Sequence, residues 1–486
     1  MSTALSIDLN DVQGNVVRGY GLSFDCARHL AVGVGEPAAA RAFIGALVDG
    51  TRDGGVEVTS AEEWDDKPLS CLNVGITWQG LQKLGVAPEV LAEFPEAFQQ
   101  GPALRAQTPD GDFKRSVGLG DVGPSAPEHW VMGGTANPPV HLVLSVYARS
   151  QQRLDDVTAA LRAALADHAL TELSHHDARG LPDARGLPRG RVHFGYRDGI
   201  AQPRIAGAPG KQMTDMQPET PTGDLLLGKD YENAFGGNYA GDLPPALADN
   251  ATYGAFRILR QDVAGFEALI ERWGEAAEMD PEVVAAKLMG RWRNGVPLVL
   301  SPDTPEPDRP VSEGKLNAFD YAPGGDHPTF YDDTEGLRCP VGAHVRRLNP
   351  RGSLVMGKPH SHRLVRRSMP YGPELENGNP DDGVERGLVG YFLCGDLEMQ
   401  WEFIQRVWVH EDLATHGIRG TREPVGGTQP EGGGKFTIRT ADSRDPIVLG
   451  GLPTLVQTRG SAYCMLPGIG GLRYLASLPD SQAVPA

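Results

Sequence analysis

At 486 residues, with 40% apolar and 22% charged side chains, the chain is long enough to bury a large core and is neither fibrous nor disordered. Its 63 acidic residues against 45 basic ones leave a formal charge of −18, which excludes a general nucleic-acid or anionic-membrane surface because polyanions are repelled. The 62 glycines and 39 prolines predict many turns and long ordered loops.

The opening MSTALSIDLNDVQGNVVRGYG has no basic or apolar leader pattern, and no stretch reaches the roughly 18 apolar residues of a membrane helix. A cytoplasmic location is the expectation. Cys26, Cys71, Cys339, Cys394 and Cys464 are odd in number, widely spaced and free of any CxxC pattern, which predicts buried thiols in a reducing compartment.

In chain order, HLAVGVG (29–35) reads as a strand and ARAFIGALV (40–48) as an amphipathic helix. LNVGITW (72–78) is a strand, GLQKLG (80–85) a helical turn, and VHLVLSVYA (140–148) a strand before the helix QRLDDVTAALRAAL. There Leu154, Val157, Leu161, Ala164 and Leu165 share one face, the pattern of a helix lying on a sheet. Residues 171–192 and 206–256 show no sustained periodicity. A helical pair follows in DVAGFEALIERWGEAA and PEVVAAKLMGRW, with Pro281 suited to a first turn. Residues 302–314 and 423–435 read as exposed loops. Strands alternating with helices, in mixed or antiparallel pairing, give an α+β fold class.

Four segments carry side chains able to do chemistry. In HFGYRDGIAQPRI (193–205), Gly195 and Gly199 flank Asp198, so the loop can press a carboxylate against something bulky; a surface turn fits the same residues. In GLRCPVGAHVRRLNPRG (336–352), small residues clear space beside His344, and Arg346, Arg347 and Arg351 follow. This suits a haem ligand whose macrocycle approaches the backbone and whose propionates meet cations. A structural or phosphate-binding segment is equally compatible. HRLVRRSMPYGPE (362–374) sets Arg366 and Arg367 before an extended turn. ERGLVGYFLCGDLEMQWEFIQRVWVH (385–410) begins as a strand and turns helical, with Asp396 or Glu398 at the junction and Trp401, Phe403 and Trp408 as core.

These segments, in this order, resemble the dye-decolorizing peroxidases, a family of haem peroxidases. The GxxDG loop is Gly195-Tyr-Arg-Asp198-Gly199; it is joined by CPVGAHVRRLNPR, RRSMPYGPE, the strand-helix ending in EFIQRVW, and TRGSAYCMLPGIGGLRYLA. DVQGNVVRGYG, NVGITWQGLQKLGV, FPEAFQQG with GLGDVG, and AKLMGRWRNG extend the likeness over nearly the whole chain. The resemblance implies two ferredoxin-like halves with antiparallel sheets, in a dimeric α+β barrel-like arrangement. It divides the chain into residues 1–215, which include the GxxDG loop, and 216–486, which hold one haem b.

Carried over motif by motif, His344 is the proximal iron ligand, Asp198 the distal acid-base residue and Arg366, preferred to Arg367, its distal partner. Arg347 is among the cations expected at the haem, Leu388 and Gly390 on the strand lining the distal cavity, and Asp396 the proximal carboxylate, with Glu398 as the alternative. Gly390 stands where many relatives carry phenylalanine, a loss that either widens the pocket or lets another side chain fill it. The implied activity is reduction of hydrogen peroxide through a ferryl intermediate with oxidation of aromatic or dye-like donors. An aspartate base, with an ordinary pKa of about 3.9 against about 6.5 for histidine, predicts an acidic optimum. A homodimer is an expectation from family analogy alone. Two other readings are a haem-binding or iron-releasing protein of the same fold, and a non-haem metal hydrolase built on His360 and His362 with His175 and His176.

Overall fold

The computed structural model describes residues 7–20, 24–50, 56–107, 109–110, 113–114, 118–181, 190–208, 217–231, 242–306, 311–322, 331–352, 360–375, 380–411, 418–440 and 445–480. The expected division at 215/216 lies outside the described residues.

The architecture is α+β, built on one eight-stranded sheet whose pairings are all antiparallel. Four strands come from the first part of the chain: β1 (Cys26–Val34), β2 (Ser70–Ile76), β3 (Leu142–Ala148) and β4 (Leu170–Arg179). Three more follow as β5 (Thr252–Gln261), β6 (Val365–Tyr371) and β7 (Gly387–Cys394). The hairpin β8 (Gly434–Ile438) and β9 (Ile447–Leu452) stands apart, and β10 (Val456–Leu466) completes the large sheet. The order β4-β1-β3-β2-β10-β5-β7-β6 repeats one pattern twice, fourth-first-third-second in each group of four. The groups join where Met465 of β10 pairs with Ile76 of β2. At the far edges β4 and β6 come together, the His176 ring meeting Tyr371 edge-on at 4.3 Å, so the sheet curls toward a barrel.

Alternation along the strands sorts the core into two layers, as the two-residue strand period requires. Leu30, Val32, Leu72, Val74, Leu144 and Val146 point outward into a core shared with the helices. Ala27, Ala31, Cys71, Val143, Tyr147, Phe256, Tyr391 and Cys464 fill the concave side. Helix α1 (Pro37–Asp49) starts on Pro37 and ends at Gly50 in the left-handed region. Helix α2 (Gln151–Asp167) is capped by the Ser150 side chain and buries Leu154, Val157, Leu161 and Leu165, the face anticipated from its spacing. In the second group α3 (Val263–Ala277) is capped by Asp262 and α4 (Pro281–Met289) by Asp280. All five cysteines are buried free thiols.

Three elements depart from the sequence reading. β4 forms within a stretch that showed no periodicity. Residues 397–402 and 404–410, expected as an ordinary helix, wind as π-helix. The 423–435 segment is not an exposed loop at its start, because Glu423 is 0% exposed.

Candidate active site

A cavity of about 350 Å³ is bordered by Asp198, Arg366, His344, Leu388 and Glu423 together. The sequence spreads these residues over more than two hundred positions; the fold brings them to one space.

His344 opens a four-residue helix, His344–Arg347. Its ring is held by a carboxylate from a different segment: Nδ1 lies 2.9 Å from Oε1 of Glu423. Glu423 is itself fixed, since Oε1 accepts from the Val425 N–H at 3.0 Å and Oε2 from the Gly426 N–H. Burial pushes its carboxyl up, but the His344 charge and hydrogen bond and these two N–H groups outweigh burial and hold it below the usual carboxylate range. With Nδ1–H donated to Glu423, the neutral form of the His344 ring carries its lone pair on Nε2, available to a ligand in the cavity.

The carboxylate beside His344 is therefore Glu423, not Asp396 or Glu398. Asp396 caps the π-helical turn by accepting from the Met399 N–H at 2.8 Å, and Glu398 pairs with Arg105 at 3.0 Å. Neither borders the cavity. Arg347 also stands elsewhere: it is fully buried and donates to the carbonyls of Trp408, Glu411 and Thr421. It rivets the short helix to its neighbours. Arg346 does the same through Asp333 and the Cys339 carbonyl, at 2.9 and 2.6 Å.

Asp198 sits on a loop whose alternate residues are pinned. Phe194 and Tyr196 are buried, the Tyr196 hydroxyl donates to the Ala285 carbonyl at 2.7 Å, and the Asp198 N–H donates to the Gly190 carbonyl at 2.7 Å. Gly195 takes φ 82°, and a Cβ there would lie 2.5 Å from the Arg293 guanidinium, so this turn needs glycine. Two residues past Gly199 the loop clasps β6: Arg366 Nη2 donates to the Ala201 carbonyl at 2.8 Å, the Arg366 N–H to Gln202 Oε1 at 3.1 Å, and Gln202 Nε2 to the Arg366 carbonyl at 3.2 Å. Burial lowers the Arg366 guanidinium from its ordinary range while the Asp198 carboxylate acts to raise it. Gln202 is a positioning residue that sequence reasoning missed.

Leu388 borders the cavity as expected, whereas Gly390 does not mark a truncated phenylalanine position. Its φ is 150°, and a Cβ would lie 2.0 Å from the Arg367 carbonyl oxygen. A phenyl ring placed there moves the β6 backbone rather than filling the pocket. Phe392, two residues on, supplies the aromatic ring at the cavity.

The metal-hydrolase set does not assemble. His360 lies by Asp320 at 3.4 Å and His362 stacks on Phe403 at 3.8 Å, while His175 and His176 belong to β4. Among the described residues no group of three or more His, Cys, Asp and Glu is placed to hold a metal ion.

The lining fits a flat tetrapyrrole with carboxylate arms. His344 offers a ring nitrogen. Arg291, Arg351 and Arg363 border the same cavity, and Arg291 Nη2, Arg351 Nε and Arg363 Nε are buried donors without an acceptor among the described residues. Burial lowers Arg291 and Arg363 to about 10, so anionic groups brought to them are favoured. These cations, rather than Arg347, are the candidates for the propionates.

No family model matches the chain. Curated relatives do. A dye-decolorizing peroxidase of Mycena epipterygia is 26% identical over 398 residues, covering 79% of this chain and 69% of that one. A multifunctional dye peroxidase of Amycolatopsis is 26% identical over 506 residues, covering 96% of each. Over most of its length the chain is similar to dye-decolorizing peroxidases. Solved structures of such peroxidases share the fold. One in complex with 2,6-dimethoxyphenol superposes with TM-score 0.75 at 24% identity, covering 97% of this chain and all of that one. One from Auricularia auricula-judae gives 0.77 at 21% identity, with the same coverage.

Proposed function

We propose that this protein is a haem-dependent peroxidase in which His344 binds haem b with Glu423 behind it, while Asp198 and Arg366 serve the peroxide. The carrying observation is that the His344–Glu423 pair and the Asp198–Arg366 pair border one cavity. The likeness to dye-decolorizing peroxidases supports an oxidoreductase of the peroxidase type. Hydrogen peroxide and small aromatic or dye-like donors are the proposed substrates.

Bound at His344, a haem would accept the two oxidising equivalents of peroxide and return them to donors one electron at a time. The chain's own residues do the rest. Asp198 takes a proton from one peroxide oxygen and gives it to the other, so that water leaves. The Arg366 cation balances the negative charge that builds up as the O–O bond lengthens. Glu423 accepts the Nδ1–H of His344, fixing the tautomer and making Nε2 a stronger electron donor. The clasp of Gln202 on Arg366 holds both peroxide-side residues in register. Supporting the same reading, the doubled strand order matches two ferredoxin-like halves, with the chain passing from one to the other between β4 and β5.

An absorption spectrum of haem-loaded protein, before and after one equivalent of hydrogen peroxide, tests this with His344→Ala and Asp198→Asn alongside. The Soret band is expected to be lost or strongly shifted in His344→Ala, and the peroxide response of Asp198→Asn to slow by roughly 10²-fold or more. A Soret band unchanged in His344→Ala would overturn the ligand assignment. An Asp198→Asn variant as fast as the parent would overturn the proton-transfer role.

A further inference from the structure

The concave interior of the large sheet holds a phenol and a thiol that two glycines bring together. Tyr391 on β7 and Cys464 on β10 are separated by β5, where Phe256 pairs with Tyr391 and Gly254 with Cys464. Gly254 leaves the diagonal between them open. A Cβ there would lie 2.8 Å from Tyr391 Cδ1, so the ring leans across β5 toward β10. Gly75 on β2 clears the place where the two functional groups arrive. The position a Cβ would take on Gly75 is 2.9 Å from the Tyr391 hydroxyl oxygen and 3.3 Å from Cys464 Sγ.

Both side chains are sealed from solvent, Tyr391 at 1% exposed and Cys464 at 0%. The Tyr391 hydroxyl makes no regular hydrogen bond among the described residues. Its polar neighbours are nevertheless defined: burial raises the phenol well above its ordinary range, Cys464 adds to the rise, and the Ser145 hydroxyl opposes it. Burial likewise pushes the Cys464 thiol up, against the Tyr391 hydroxyl. Ser145 Oγ lies 2.9 Å from His29 Nδ1. Burial lowers His29 to about 3, so its ring is neutral and, with Nε2 protonated, Nδ1 can take a proton that Ser145 passes on. A phenol that has lost an electron is acidic enough to supply it. Phe392, the next residue of β7, points the opposite way and borders the cavity together with Leu388. One backbone layer therefore lies between the phenol and the cavity of His344 and Asp198.

We propose that Tyr391 and Cys464 become joined by a thioether bond when peroxide is consumed without an outside donor. The proposal rests on the reading of the chain as a haem peroxidase at His344, which supplies the oxidant. Tyr391 gives up the first electron, and its proton moves through Ser145 to His29. Sγ then bonds to the ring carbon next to the hydroxyl, and the second electron leaves as the ring regains its aromaticity and its O–H. In sum the thiol S–H and one ring C–H break and one C–S bond forms. The two electrons and two protons released convert one hydrogen peroxide into two waters. Because the pair is closed to solvent, the sulfur of Cys464 is the partner at hand for the oxidised ring.

The test treats haem-loaded protein with hydrogen peroxide in stepwise equivalents and no donor, followed by denaturation, reduction, tryptic digestion and mass spectrometry. The expected product is two hydrogens lighter than the starting chain and has four titratable thiols in place of five. Peptides 387–406 and 460–473 should be joined through Tyr391 and Cys464 by a bond that reduction does not open. The link should be lost in Tyr391→Phe, which keeps the packed ring, in Cys464→Ser, and in protein without haem. A phenol in excess, competing for the oxidising equivalents, should suppress it. Absence of the link in protein whose Soret band responds to peroxide, its survival in Tyr391→Phe, a bond opened by reduction, or a link at Tyr20 and Cys71, the neighbouring phenol and thiol of the same interior, would each overturn the proposal. A Soret band without any response to peroxide refutes the peroxidase reading beneath it instead.

Discussion

Glu423 and Asp396 are both buried carboxylates, 2% exposed or less, and their neighbours send them in opposite directions. Glu423 has an imidazole and two backbone N–H groups on its oxygens and is held low. Asp396 has mainly burial acting on it, offset in part by the Met399 N–H, and is raised from 3.8 to about 6. For an acid whose folded pKa exceeds its unfolded one, the stabilising contribution is complete below the unfolded value and is lost as pH rises through the folded value. Asp396 therefore favours the folded state near pH 4 relative to pH 7, by at most roughly 3 kcal/mol. Asparagine can keep the cap on the Met399 N–H without titrating. Asp396→Asn is thus expected to gain stability on the parent as pH goes from 4 to 7, measured by urea unfolding at both. Parallel pH profiles for the two proteins would refute the assignment. The sequence made Asp396 attractive because it stands at a strand-helix junction. Glu423 was hidden in a run that reads as loop, EPVGGTQPEGGGK, although a glutamate followed by proline and two glycines is a backbone able to wrap its own carboxylate.

At the scale of elements, hydrophobic period was a reliable guide wherever one face meets a core, as in α2, α3 and the strands β1 to β3. It failed at β4, whose LTELSHHDAR leaves most side chains half-buried or exposed. There the strand exists because β1 offers a hydrogen-bonding edge, which a one-dimensional pattern does not display. It failed also at residues 397–410, since π-winding alters spacing that the sequence leaves helical. The Asp198 loop was legible from its glycines, but its clasp on β6 was not, because Gln202 acts across 164 residues. That clasp joins two elements that each carry one peroxide-side residue. Gln202→Leu is expected to slow the peroxide reaction of haem-loaded protein about tenfold and to cost roughly 1–3 kcal/mol of stability, by leaving the Arg366 N–H unpaired, while the Arg366 carbonyl keeps the Arg367 guanidinium as donor. The Soret position should stay unchanged, since His344 and Glu423 are untouched. Stopped-flow mixing with peroxide separates the two effects, and a normal rate in a destabilised variant would reduce Gln202 to a structural role.

For the whole molecule, the doubled four-strand order explains why chemistry-bearing residues so far apart in sequence share one space: β6 and β7 form the wall, and the loop after β4 closes over it. The same molecule carries a net charge of −18, a long-range field that no single contact expresses. At low ionic strength this field extends some 30 Å from the surface, and at physiological salt only about 8 Å. It raises the local concentration of cationic donors and lowers that of anionic ones. Raising salt from 10 to 200 mM should therefore reduce kcat/KM for a cationic dye several-fold, increase it for an anionic dye, and leave a neutral phenol within about twofold. The neutral donor controls for salt effects on the protein itself, so the ordering of the three slopes carries the test. Identical slopes would mean that donors are captured where the local field is screened or reversed, such as beside the arginines of the cavity, and that net charge has no part in selecting them.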